Sequence, residues 1–141
     1  ASRTILFFLN KKYIENIDIF AKSFRRREGL SKNFKFKNFT NKPTLLKKKY
    51  DLIINASNAG MSHGNKINRN ILRLVKKTKG VIDIVYNPLE TDLLKEAEKH
   101  NIKSIGGLIM LVEQAKPSFE IWSKKDIEID DKIYRSLISK I

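Results

Sequence analysis

The stretch VIDIVYNPLETDLLKEA, residues 81–97, decides the fold. Val81, Ile82, Ile84 and Val85 form a near-continuous apolar run, the pattern of a parallel strand covered on both faces. Asn87-Pro88 ends the run, because proline donates nothing to a sheet ladder and biases its predecessor toward extended geometry. Glu90, Thr91 and Asp92 then open a helix whose apolar side carries Leu93, Leu94 and Ala97. Tyr86 is expected at the carboxyl end of the strand, where open α/β sheets bind ligands. A second informative stretch, GGLIMLVEQAKPSFEIW, follows at residues 106–122.

Outward from that unit the same alternation continues. The pattern predicts helices over Thr4–Tyr13, Phe24–Leu30 (ended near Gly29), Asn68–Lys77, Thr91–His100, Leu108–Trp122 and Asp130–Ile141. Strands are expected at Ile17–Phe20, Asp51–Ile54, Val81–Tyr86 and Ile102–Ile105, with an edge strand at Phe34–Phe36. Leu45–Lys49 is too short to assign, and Ala56–Asn65 reads as a polar, glycine-containing loop. Strands alternating with helices imply an α/β fold with a doubly wound parallel sheet and right-handed crossovers. Residues 1–122 form the expected domain, and residues 123–141 a linker with a C-terminal helix.

The 141 residues suffice for one domain with a core. No apolar run is long enough to span a bilayer. The absence of cysteine excludes disulfides and thiolate metal sites and fits a reducing, cytoplasmic setting. Two histidines, His63 and His100, lie far apart in sequence, which argues against a metal site or a Ser-His-acid triad. The net charge of +14 favours polyanions or phosphorylated ligands. Its basic clusters are scattered, however: Lys11-Lys12, Arg25-Arg26-Arg27, Lys47-Lys48-Lys49, Lys76-Lys77 and Lys124-Lys125. That scatter fits compositional bias better than a nucleic-acid footprint, with one cluster left for a phosphate.

The run D-x-x-Y-x-P-x-x-T-x-L-L over Asp83–Leu94, followed by G-L-x-M-L-x-x-Q-A over Gly107–Ala115, resembles the end of the nicotinamide-binding domain of shikimate dehydrogenases. The resemblance implies a Rossmann-like fold. Ala1, Ser2 and Arg3 match the tail of the family's G-A-G-G-A-S-R loop, which precedes a helix. By that match the first strand, the loop glycines and the substrate-binding N-terminal domain are expected upstream of residue 1. Without the central strand, the strands at Ile17 and Asp51 lose a shared neighbour, so poor stability of the isolated chain is expected.

Ala21-Lys22-Ser23-Phe24-Arg25-Arg26 follows the strand at Ile17 and is similar to the family's N-R-T-x-x-[KR] motif, with Ala21, Lys22 and Ser23 as departures. Cationic residues at this point favour the 2′-phosphate of NADP over the free hydroxyl of NAD. Lysine keeps the charge but loses the bidentate fork, for which Arg25 or Arg26 compensates. Taken without the resemblance, the same residues are a solvated basic helix start. Asn55-Ala56-Ser57-Asn58-Ala59-Gly60-Met61 resembles the N-A-[ST]-x-x-G-M loop that lies along the cofactor, which implies contacts from Asn55, Ala56, Ser57 and Met61. Ile84 and Gly107 match positions near the nicotinamide ring, and Met110 one that packs by it. Tyr86 and Gln114 match the residues that approach the substrate. Ile109 departs from a common glycine, and Pro117 falls inside an expected helix, where it removes a backbone bond.

The resemblance implies NADPH-dependent, reversible reduction of 3-dehydroshikimate to shikimate, in aromatic amino-acid biosynthesis. The family's proton-handling lysine and aspartate belong to its N-terminal domain, and neither motif occurs here, so no residue of this chain is assigned a catalytic role and the chain alone is expected to be inactive. The alternatives are a relative that uses quinate or NAD, an inactive remnant, or a basic nucleic-acid-binding module. Salt-dependent DNA binding above that of equally basic controls would favour the last.

Overall fold

In the computed structural model, residues 1–23, 25–42 and 49–139 are described, with Arg26 described by its backbone alone. The chain divides into two compact units, Ala1–Lys49 with Asn68–Ile71, and Tyr50–Ile67 with Leu72–Ile141.

The first unit holds α1 (Ser2–Lys11), β1 (Asp18–Phe20), α2 (Arg26–Ser31) and β2 (Asn38–Thr40). The two strands pair in parallel, with Ile19 opposite Phe39. Asn10 ties the end of α1 to the chain ahead of β2. Its Oδ1 accepts from the Lys35 N–H at 2.7 Å, and its Nδ2 donates to the Lys35 carbonyl at 3.0 Å. Two expectations are corrected here. The helix α2 runs through Gly29 to Ser31, because Gly29 adopts helical geometry and the capping bonds form later, with the Phe34 N–H returning to the Leu30 carbonyl at 2.9 Å. Phe34–Phe36 is consequently not a strand. Alternation of Phe34 and Phe36 suggested one, but Phe34 closes the helix, and pairing begins only at Asn38. Of the unassigned Leu45–Lys49, residues 45–48 lie outside the described residues.

The second unit holds β3 (Leu52–Asn55), β4 (Gly80–Asp83), α4 (Asp92–Lys99), β5 (Lys103–Ile105), α5 (Gly107–Ser123) and α6 (Asp131–Ile138), and it shares α3 (Arg69–Val75) with the first. Its sheet is parallel in the order β3-β4-β5. Val75, Val81, Leu93 and Ala97 are buried to within 1% of complete, and Val85, Leu108 and Val112 extend this core. The helix α4 packs on β4 and β5. Thr91 opens α4, its Oγ1 accepting from the Leu94 N–H at 3.3 Å, as a side-chain cap does. The helix ends where Asn101 turns left-handed (φ 54°) and the Ile102 N–H reaches back to the Ala97 carbonyl.

Two further expectations are corrected in this unit. The strand β4 stops at Asp83 rather than Tyr86, because the Val85 N–H turns to the Asp83 side chain and the Val85 carbonyl accepts from the Gly107 N–H at 3.2 Å. Tyr86 therefore lies three residues beyond the strand. Burial of β4 on both faces is incomplete: Val81 and Asp83 on one face are buried, whereas Gly80 and Ile82 on the other are half-buried. Pro117 sits inside α5, which nevertheless continues to Ser123. No helix among the described residues is long and apolar enough to cross a membrane.

Candidate functional site

The carboxyl ends of β3 and β4 carry a connected set of polar side chains. Strand register creates it, since Asn55 and Asp83 are direct partners across the β3–β4 ladder. Asp83 is fully buried (0% exposed) and accepts three hydrogen bonds. Its Oδ1 accepts from Asn55 Nδ2 at 2.8 Å and from the Val85 N–H at 3.0 Å, while its Oδ2 accepts from Thr91 Oγ1 at 2.7 Å. Burying a charge without partners costs several kcal/mol (roughly 3–5 or more), and three donors around a carboxylate offset that cost.

Beyond Asp83 the bonds run into the loop after β3. Asn55 Nδ2 also donates to the Ala59 carbonyl at 2.8 Å. Asn55 Oδ1 accepts from Ser57 Oγ at 2.7 Å and from the Ser57 N–H at 3.2 Å, and Ser57 Oγ accepts from the Ala59 N–H at 3.2 Å. Asn55 is thus satisfied on both ends of its amide, and the loop folds around it. Ser57 and Asn58 remain exposed, and Ala56 is half-buried. Gly60 takes φ 93°, which a side chain disfavours. Farther along, the Ser62 N–H donates to the Asn87 carbonyl and Ser62 Oγ to Asn87 Oδ1 (2.9 Å), linking this loop to the one that holds Tyr86.

Gly107 begins α5 directly against the chain leaving β4. A Cβ placed there would lie 2.2 Å from the Ile84 carbonyl oxygen and 2.6 Å from that of Val85, so only glycine permits this approach. Ile84 and Gly107, paired by the sequence, are therefore neighbours. Met110 (37% exposed) faces out of the core, and Met61 is exposed too. Tyr86 and Gln114 are exposed, with no hydrogen-bond partner for either side chain among the described residues.

The remaining expected positions belong to the first unit. Ala1 is the N-cap residue of α1, without a side-chain cap, and Ser2 and Arg3 are exposed in its first turn. The Arg3 guanidinium lies 5.8 Å from the centre of the Phe34 ring, a cation–π distance. After β1, Ala21 is half-buried while Lys22, Ser23 and Arg25 are exposed. The cationic groups of Lys22 and Arg25 have no partner among the described residues, and residues 21–27 include no carboxylate. That donor set fits a phosphorylated ribose better than a free diol. The Arg26 side chain lies outside the described residues.

The sequence did not disclose the place of Asp83, nor that Thr91, read as a helix start, also bonds to it. One signal was present: an aspartate interrupting the apolar run 81–85 has to be hydrogen-bonded if that run is buried.

No protein-family profile matches the chain. Curated relatives do. A shikimate dehydrogenase (NADP(+)) of Methanococcus maripaludis is 38% identical over 150 residues, covering 100% of this chain and 52% of the relative. Among solved structures, the chorismate mutase/shikimate 5-dehydrogenase fusion protein of Clostridium acetobutylicum superposes with a TM-score of 0.77 at 32% identity, over 100% of this chain and 50% of that one. A shikimate dehydrogenase solved in complex with NADP+ gives a TM-score of 0.64 at 30% identity, over 89% of this chain and 46% of that one. The chain spans about half the length of the curated relatives it matches.

Proposed function

This chain belongs to the shikimate dehydrogenase family, matching the C-terminal portion of its members, and from that premise we propose that it is the NADP(H)-binding half of an enzyme that interconverts 3-dehydroshikimate and shikimate. The observation that carries the reading is the pair of ordered loops at the carboxyl ends of β3 and β4. One is folded on Asn55 and Ser57, the other abuts Gly107, and both leave exposed chain in the place where parallel sheets bind ligands.

The proposed division of labour follows the residues. Lys22, Ser23 and Arg25, with Arg26, hold the phosphorylated ribose; Ala1, Ser2 and Arg3, at the start of α1, lie by the pyrophosphate. Asn55, Ala56, Ser57 and Met61 line the cofactor, and Ile84, Gly107 and Met110 set the face of its nicotinamide. Tyr86 and Gln114 reach the substrate with free polar groups. When bound, the nicotinamide supplies the hydride chemistry. The chain's own residues bind and orient, and none of them is assigned the proton transfer. Turnover therefore needs a lysine- and aspartate-bearing substrate domain as partner.

Fluorescence titration of the chain with NADPH and NADH tests this. Saturable binding, about tenfold tighter for NADPH, is the expected result, since loss of one charge-assisted contact is of that size. Equal affinity would favour the NAD-using relative, and no binding of either would remove the reading.

A further inference from the structure

We infer that Asp83 is a positioning residue, which fixes the loop after β3 and the chain leaving β4 relative to one another and to the start of α4. It is fully buried. Each of its three donors has a second duty. Thr91 caps α4, Val85 leaves the sheet ladder to accept from Gly107, and Asn55 organises Ser57 and Ala59.

The chemistry of the group matters as much as its place. A carboxylate is acceptor-only, so it dictates which end of the Asn55 amide faces it. With Nδ2 turned to Asp83, Oδ1 must face Ser57, and this is the arrangement that folds the loop. An alanine at position 83 removes that instruction. An asparagine keeps one acceptor for Asn55 and Val85, and its amide can still meet the Thr91 hydroxyl. The amide readout of these loops needs no ligand. Its consequence for cofactor affinity rests on the functional reading above.

Backbone amide exchange and chemical shifts, followed by NMR in Asp83→Ala, Asp83→Asn, Thr91→Val and Thr91→Ser, test the inference, together with NADPH titration. The Ser57 amide lies two hydrogen bonds from Asp83, through Asn55, and the Ala59 amide three, through Ser57 and Asn55. In Asp83→Ala and Thr91→Val they are expected to exchange about tenfold faster, the equivalent of one hydrogen bond, while Val112 in α5 is unmoved. Asp83→Asn and Thr91→Ser are expected to restore most of the protection. NADPH affinity is expected to fall about tenfold in Asp83→Ala and to recover in Asp83→Asn. If Thr91→Val loosens only Leu94 and its helix turn, leaving Ser57 and Ala59 as they were, Asp83 merely supports a cap and the inference is wrong. Should Asp83→Ala not fold, the two Thr91 variants decide the matter. Should the parent chain not bind NADPH, the functional reading fails, and the amide readout still decides the role of Asp83.

Discussion

The two units of this chain are built on different terms. Among the described residues the second unit buries nine apolar side chains, including Leu93 and Val75 with no exposure, whereas the first buries only Leu6. Charge divides the same way. Residues 1–49 carry 14 Lys and Arg against 3 Asp and Glu, while residues 50–141 carry 15 against 12. The basic clusters are spread along the chain; it is the acidic residues that are not. The first unit is thus a thinly cored, strongly cationic body, and the second a better-cored, nearly balanced one. Hydrophobic burial stabilises a fold, and unbalanced like charge opposes compaction while attracting anions. A phosphate-reading role suits the first unit and a nicotinamide-positioning role the second.

Four outcomes would sharpen or break that contrast. The largest effect is expected from Leu93→Ala, about 4 kcal/mol by urea denaturation, against about 2 kcal/mol for Leu6→Ala, both within the usual range for such truncations. Equal losses would mean that the first unit is as firmly packed as the second. Next comes Gly107→Ala. Its new methyl group would meet backbone rather than a yielding side chain, so a loss of about 1–3 kcal/mol is expected, with weaker NADPH binding.

The opposite sign is expected in the first unit. Gly29 lies inside α2 with nothing within 4 Å of a Cβ, so Gly29→Ala is expected to raise stability by about 0.5–1 kcal/mol through helix propensity. A destabilised Gly29→Ala in a thermal melt would show that this helix is not held as described.

The smallest effects belong to one exposed ion pair in each unit, Lys35–Glu15 at 2.8 Å and Lys79–Asp51 at 2.6 Å. Hydrogen bonding to Lys79 holds the Asp51 carboxyl below its ordinary value, and hydrogen bonding to Asp51 and Glu15 raises Lys79 and Lys35. The Asp51 contribution is therefore present above its unfolded value of 3.8 and fades as pH falls through the lower folded one. The lysine contributions are present below 10.5 and fade as pH rises through the higher folded values. Because both pairs are solvent-exposed, Lys35→Gln and Lys79→Gln are expected to shift melting barely at all, and not at all in high salt. A large, salt-resistant shift for either would show a desolvated pair.

Much of this molecule is legible in local sequence. Thr91 and Asp92 before Leu93 announce the start of α4, and Asn87-Pro88 announces the end of an extended run. The motif Asp83–Leu94 with Gly107–Ala115 gives both the Rossmann-like class and the family. Misreadings fall where a local pattern yields to a longer-range bond. Phe34 and Phe36 alternate like a strand, yet Phe34 is needed to close α2. Val85 and Tyr86 look like strand, yet the Val85 N–H belongs to Asp83.

The sequence by itself determined the order of elements, their caps and the chemistry available in each loop, because these depend on neighbours a few residues away. Only the tertiary structure decided that Asp83, set within an apolar run, joins Asn55 and Thr91. That junction depends on the register of β3 against β4, which sets Asn55 beside Asp83 across 28 residues of chain. Register comes from the pairing and burial of distant segments, and a one-residue slip would turn both side chains to the opposite face.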